Sequence, residues 1–218
     1  MEFLLRHDGS GTITARVHLR MDEAGTDPES WSPAIRQELD LAMGAIRDGL
    51  QGPLRDNGVA YRLNARGWPG VERVWTYADL NKISLSGGKG EQFGFAFRMS
   101  PGKEAQVRVD PVYPLAQTLL QGPAFDARMA DQLVPLLEGA RSRIRLRTAT
   151  QLLDQRAAPL AGLDEIVLLD VQPAKCIGYE AVLSLLREGK DETLRGLADL
   201  RREGLLLPKP DTPIVFRF

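Results

Sequence analysis

Arginines at every second position form the segment best suited to binding an anion. The four are Arg141, Arg143, Arg145 and Arg147. On a β-strand, alternate side chains point to one side, so we expect all four guanidinium groups on one face. The planar guanidinium matches phosphate and carboxylate groups through paired hydrogen bonds. Four like charges repel one another, and solvent, facing carboxylates or an anionic partner would each relieve the repulsion. A solvated strand with Ile144 and Leu146 turned inward is the alternative without a ligand.

Two further candidates lie in glycine-rich turns. Trp68 stands in the turn sequence RGWPG, where an aromatic ring can either anchor a protein interface or fold back over a sheet. Lys89 stands in SGGKG, whose backbone N–H groups resemble a phosphate loop. Glu91 and a predicted strand follow, however, where such a loop needs Ser or Thr and a helix, so a hairpin turn explains these glycines. We add Trp68 and Lys89 to the predicted partner-binding residues.

A row of phenylalanines offers a surface for nucleic acid. Phe93, Phe95 and Phe97 share one face of a predicted strand, with Gly94 and Ala96 on the other. Exposed aromatic rings on a strand can stack on bases, but such a row more often belongs to a hydrophobic core. With the arginine row and Lys89, it supports nucleic-acid binding as the alternative function.

The residue types needed for catalysis or metal binding are few. The chain has two histidines and one cysteine, Cys176, which excludes an intrachain disulfide and a zinc site built from cysteines. His7 and His18 lie in the first predicted hairpin, far in sequence from Cys176 and its neighbour Glu180. We therefore predict no catalytic residues, no metal site and no cofactor, and the sequence favours a binding protein over an enzyme.

Length and composition are those of a globular protein. The chain has 218 residues, 43% hydrophobic and 26% charged, and 28 basic against 29 acidic residues give a net charge of -1. A generally basic nucleic-acid coat and an acidic disordered tail are thereby excluded, although a local basic patch is not. No apolar run reaches the roughly 18 residues that span a bilayer. We expect a soluble cytoplasmic protein without membrane contact, and the excess of arginine over lysine suggests a bacterial source.

The first 53 residues predict a hairpin and a helix. Alternation over residues 2–20 indicates two strands joined by a three-residue turn at Asp8–Ser10, which would pair Leu5 with Ile13 and Phe3 with Ala15. Ser32 followed by proline predicts the start of a helix, and an apolar stripe at helical spacing continues to Leu50.

The remainder divides into a β-rich and a helical part. Closely spaced strand patterns between residues 58 and 110 predict an antiparallel meander. Helices are predicted at 114–121, 126–139, 150–157, 178–188 and 191–203, with strands at 143–147, 165–171 and 213–218. We therefore predict one α+β unit over residues 1–218. Its β-rich part (1–110) has a largely antiparallel sheet packed with helices, and its mainly helical part (111–218) is closed by a terminal strand.

These features favour a non-catalytic recognition protein, such as an adaptor, inhibitor or immunity-type protein. Its partner is expected to be the acidic surface of another protein, bound through the arginine-lined strand, Trp68 and Lys89. RNA or DNA bound by the same arginines is the alternative partner.

Overall fold

The computed structural model describes residues 1–21, 25–86, 94–100, 106–112, 132, 134–149, 154–156, 164–177, 205–206 and 215–217. Thirteen strands lie in these residues: β1 (Glu2–Leu5), β2 (Gly11–His18), β3 (Leu50–Gln51), β4 (Arg55–Leu63), β5 (Pro69–Tyr77), β6 (Ser84–Ser86), β7 (Gly94–Ser100), β8 (Gln106–Val112), β9 (Ser142–Thr148), β10 (Asp154–Arg156), β11 (Glu165–Val171), β12 (Leu205–Leu206) and β13 (Val215–Arg217).

The strands form two sheets rather than the single sheet that the sequence predicts. A seven-stranded sheet has the order β12-β11-β9-β1-β2-β5-β4, and a six-stranded sheet has the order β10-β13-β8-β7-β6-β3. The larger sheet is mixed, because β1 pairs with β9 in parallel while β2 pairs with β1 antiparallel. The antiparallel pairing of the meander is confirmed, but the meander is shared between the sheets: β4 and β5 belong to one, β6, β7 and β8 to the other.

The first hairpin forms as predicted, with its pairing displaced. Phe3 pairs with Ile13 and Leu5 with Gly11, so the predicted position of the turn, Asp8–Ser10, is wrong. The Arg6 N–H donates to the Ser10 carbonyl at 2.8 Å, so that three residues, His7–Gly9, lie between the two. Since the displacement is two residues, every side chain keeps its predicted face.

The predicted first helix is confirmed as α1 (Pro33–Gly49). The Ser32 hydroxyl accepts a hydrogen bond from the Ile35 N–H at 3.4 Å, which satisfies one of the unpaired donors of the first turn. Leu39 and Met43 are buried on its apolar side, where α1 contacts β2 and β5.

The hydrophobic core contains residues from both sheets and from α1. The rings of Phe3 in β1 and Phe97 in β7 lie 4.9 Å apart between centroids and join the two sheets. Phe97 is 2% exposed, so this member of the phenylalanine row belongs to the core. The largest fully buried side chains are Trp75, Phe3, Phe97, Leu5, Ile13, Leu39, Leu50, Leu80, Ile83, Leu146 and Ile166.

The predicted division into a β-rich and a mainly helical half is wrong. Within the described residues, the second half supplies strands to both sheets: β9, β11 and β12 to the larger, β10 and β13 to the smaller. The helix predicted at 150–157 is contradicted by β10. Within the helix predicted at 126–139, residues 134–137 are helical. A further short helix is α2 (Pro173–Ile177). The helices predicted at 114–121, 178–188 and 191–203 lie outside the described residues.

Helical periodicity does not predict a helix correctly where the segment pairs at a sheet edge instead. The segment that forms β10 is an example, because it pairs with β13.

Among the described helices, none has the length and apolarity needed to cross a membrane.

Candidate functional site

The arginine row lies on β9 as predicted. Ile144 and Leu146 are 6% and 0% exposed and face the core, so that Arg143, Arg145 and Arg147 lie on the opposite face of the sheet. Arg141 precedes the strand by one residue. Because β9 is flanked by β1 and β11, the row faces side chains from two neighbouring strands.

The first two arginines are matched by carboxylates of β11. The Arg141 Nε donates to Asp170 Oδ1 at 2.7 Å, and this hydrogen bond raises the pKa of Arg141. The Arg143 Nη2 donates to Glu165 Oε1 at 3.2 Å. The side chains of Asp170 and Glu165 are 16% and 14% exposed, so both carboxylates are largely enclosed by the sheet and its arginines.

The other two arginines complete a continuous network. Arg145 lies between two carboxylates, with Nη2 2.5 Å from Glu2 Oε2 of β1 and Nη1 3.1 Å from Glu165 Oε2. The Arg147 Nη2 donates to Asp164 Oδ2 at 2.8 Å, which raises the pKa of Arg147 and lowers that of Asp164.

Four arginines therefore face four carboxylates of the same chain, which are Glu2, Asp164, Glu165 and Asp170. Solvent, facing carboxylates or an anionic partner could relieve the repulsion within the row, and the described residues supply the facing carboxylates. The charge of the row is balanced within the sheet, and no external anion is needed to relieve it.

A cavity of about 780 Å³ opens at one end of the larger sheet, where β1, β5 and β9 begin and β2 and β4 end. We call it the Trp68 cleft. Besides Trp68, its lining includes five arginines: Arg16, Arg20, Arg66, Arg141 and Arg143. The one acidic residue among its described lining residues is Glu138.

Trp68 is held in the cleft by the turn between β4 and β5. The Asn64 Oδ1 accepts hydrogen bonds from the backbone N–H groups of Arg66 and Trp68, at 2.8 and 3.0 Å. Gly67 has a φ of 77°, which favours glycine and closes the turn. The Arg66 guanidinium thereby lies over the Trp68 ring, 5.1 Å from its centroid. The turn presents an aromatic ring and a cation together.

The segment 134–140 forms the opposite wall. Arg20 holds it to the sheet, because Nη1 donates to the carbonyl oxygens of Pro135 and Glu138 at 3.2 and 3.0 Å. Gly139 approaches the turn so closely that an added Cβ would lie 3.0 Å from both Arg66 Nη1 and Trp68 Cη2. The wall and the turn therefore meet over the cleft.

The arginines of the cleft are not all balanced. Arg16 lies 2.5 Å from Glu72, but Arg62 shares that carboxylate at 2.9 Å. Arg20 bonds to carbonyl groups and Arg66 to an aromatic ring, and within the described part of the chain neither forms an ion pair with a carboxylate. Counted over the described residues, the cleft therefore carries excess positive charge.

Two titratable groups that line the cleft have lowered pKa values, chiefly because they are partly buried. The Met1 amino group donates to the Arg143 carbonyl at 2.6 Å, and its pKa is lowered to about 6 by burial and by the positive charge of Arg145 and Arg16. The pKa of His18 is lowered by partial burial and then by Arg16, against the opposing effect of Glu72. Positive charge and desolvation both disfavour further protonation here.

Lys89 and Phe93 lie outside the described residues, and Cys176 lies in α2, where its side chain is not described. No group of three potential metal ligands occurs among the described residues.

Arg20, Arg66 and Gly139 are among the members of the cleft that the sequence did not predict. Arg66 could have been predicted from the sequence, because it belongs to the same turn as Trp68. Arg20 and Gly139 carry no local signal, because Arg20 contacts Glu138 and Gly139 contacts Trp68 only through the folding of distant segments.

Comparison of the chain with protein-family models, with curated proteins and with solved structures found no match.

Proposed function

We propose that this chain is a non-catalytic recognition protein that binds an acidic segment of another protein in the Trp68 cleft. The observation that carries the proposal is the pair Arg20 and Arg66, which line a concave surface beside an aromatic ring and form no ion pair with a carboxylate in the described residues. Of the predicted partner-binding residues, Trp68, Arg141 and Arg143 line the cleft, and the last two are paired with Asp170 and Glu165.

The shape of the charged surface favours a protein segment over nucleic acid. Nucleic acid is usually bound by a basic track that contacts successive phosphates. The arginine row offers such a spacing, but its guanidinium groups are occupied by Glu2, Asp164, Glu165 and Asp170. In the cleft, Arg20 and Arg66 lie together on one concave surface, which suits a short acidic segment.

Binding of decaglutamate, labelled with fluorescein, tests the proposal by fluorescence anisotropy at 50 mM salt. Arg66→Glu is expected to weaken binding about tenfold, or ~1.4 kcal/mol, because an attractive charge becomes repulsive. The matched control is Arg55→Glu, which reverses an exposed arginine of β4 outside the lining of the cleft. Binding should also weaken as salt increases, since the rim charges are exposed.

Absence of binding at low salt would overturn the proposal, as would equal losses in the Arg66 and Arg55 variants. A twelve-nucleotide single-stranded DNA serves as the competing probe. Tighter binding of this DNA, with the same dependence on Arg66, would replace the proposed partner by nucleic acid.

We further propose that the chain acts as a single unit in the cytoplasm. The core, which joins both sheets, supports the first statement. The single cysteine of the sequence supports the second, since secreted proteins more often contain paired cysteines.

A further inference from the structure

The floor of the Trp68 cleft differs in chemistry from its rim. Val17 and Ile46 are half-buried hydrophobic residues packed against the core, and both line the cleft. Leu85 and Ile144, 5% and 6% exposed, lie beside them. The cleft therefore opens onto one end of the hydrophobic core, with arginines around it.

The wall of the cleft adds apolar surface that is open to solvent. Leu136 lines the cleft and is 73% exposed, the largest value among the exposed large hydrophobic residues of the described chain. Trp68 faces the same space from the β4–β5 turn. Large exposed apolar side chains that adjoin a concave surface are typical of sites where a partner inserts an anchor.

We propose that the acidic segment carries a large apolar side chain, aromatic or leucine-like, that enters the cleft between carboxylates that contact the rim. This inference rests on the proposed function and specifies its partner. A polyanion without such an anchor satisfies the arginines but leaves the apolar floor in water. An apolar peptide without carboxylates fills the floor but leaves the excess charge of Arg20 and Arg66 unmatched.

The size of the cleft agrees with one anchor and its flanking backbone. A phenylalanine side chain buries about 150–250 Å² of surface, and its burial is worth roughly tenfold to hundredfold in affinity. The 780 Å³ of the cleft accommodates a ring together with the adjoining peptide.

Three labelled nonapeptides test the inference: four glutamates on either side of a central Phe, the same peptide with a central Ala, and four serines on either side of a central Phe. We expect the Glu–Phe peptide to bind at least tenfold more tightly than the Glu–Ala peptide, and the Ser–Phe peptide to bind most weakly. Ala45→Trp, which places a bulky side chain in the lining, should abolish the gain from Phe, so that the Glu–Phe and Glu–Ala peptides bind this variant with equal affinity. The matched control is Ala34→Trp, on the same helix and outside the lining.

Equal affinities for the Glu–Phe and Glu–Ala peptides, both dependent on Arg66, would overturn the anchor and leave the proposed function intact. An unchanged gain from Phe in the Ala45→Trp variant would also overturn the anchor. Failure of every acidic peptide to bind would instead overturn the proposed function itself.

Discussion

The arginine row of β9 and the Trp68 cleft contain the same residue type in opposite electrostatic situations. On β9, Arg145 lies between two largely buried carboxylates, Glu2 and Glu165, contributed by the strands on either side. In the cleft, Arg66 lies over an aromatic ring and Arg20 bonds to backbone carbonyls. Carboxylates of the same chain balance the arginine row, whereas Arg20 and Arg66 form no ion pair with a carboxylate among the described residues.

The difference shows that the availability of a charged side chain is decided by strand neighbours rather than by its own spacing. The regular alternation of the row places its arginines on one face, and that same regularity aligns them with acidic residues of the adjacent strands. The cleft lies where the strands end, so that its arginines have fewer cross-strand neighbours.

The largest effect is expected when β1, which contributes to both regions, is displaced. In Gly11→Ala, the new Cβ would lie 1.9 Å from the Leu4 carbonyl oxygen and 2.3 Å from the Tyr77 hydroxyl, which itself donates to that carbonyl. We expect a loss of about 3 kcal/mol in the free energy of unfolding, measured by urea denaturation, because backbone must move. Displacement of β1 should weaken both regions together, because Glu2 belongs to the arginine network and Met1 lines the cleft.

Gly44→Ala is the control for the glycine substitution. Gly44 lies in α1, and an added Cβ would meet nothing within 4 Å. The free energy of unfolding should increase by about 0.5–1 kcal/mol, the usual gain from replacing glycine inside a helix. A Gly11→Ala protein as stable as wild type would contradict the packing at this junction.

A smaller effect compares the two regions directly. Arg145→Gln leaves Glu2 and Glu165 with less compensation and is expected to cost about 1–2 kcal/mol of stability, below the usual figure for a buried pair because Arg145 is 28% exposed. Arg66→Gln should cost only about 0.5 kcal/mol, from the loss of an exposed cation–π contact. Urea denaturation of both variants measures the difference. Equal losses would show that the row and the cleft are not electrostatically different.

Local patterns in the sequence predict individual elements well. The alternation around Ile144 and Leu146 fixes β9 and its arginine face, and the cap at Ser32 fixes the start of α1. These features depend on residues within a few positions of each other. The exposed turn at Trp68 is predicted for the same reason.

Pairing between distant segments is what the sequence does not reveal. The carboxylate of Glu2 meets Arg145 because β1 and β9 pair in parallel across more than a hundred residues. The chain also changes sheets after β5, where a short 3-10 helix, Leu80–Lys82, redirects it with Leu80 fully buried. Turn residues predict that a strand ends there, but not which sheet receives the next one.

The smallest effect concerns His18, which lies in the cleft beside Arg16. Folding lowers the pKa of His18 below its ordinary value of 6.5, through desolvation and then through Arg16. The unfolded chain therefore takes up the proton first as the pH falls through about 6.5, and the folded state loses stability there. Raising the pH above this range restores that stability.

Titration of His18 by NMR checks whether the cleft is positively charged. Its pKa should increase in Arg16→Gln, because a nearby positive charge is removed, and again when the Glu–Phe peptide is bound, because carboxylates enter. A His18 pKa that does not respond to either change would mean that the charge of the cleft is already balanced, as it is along β9.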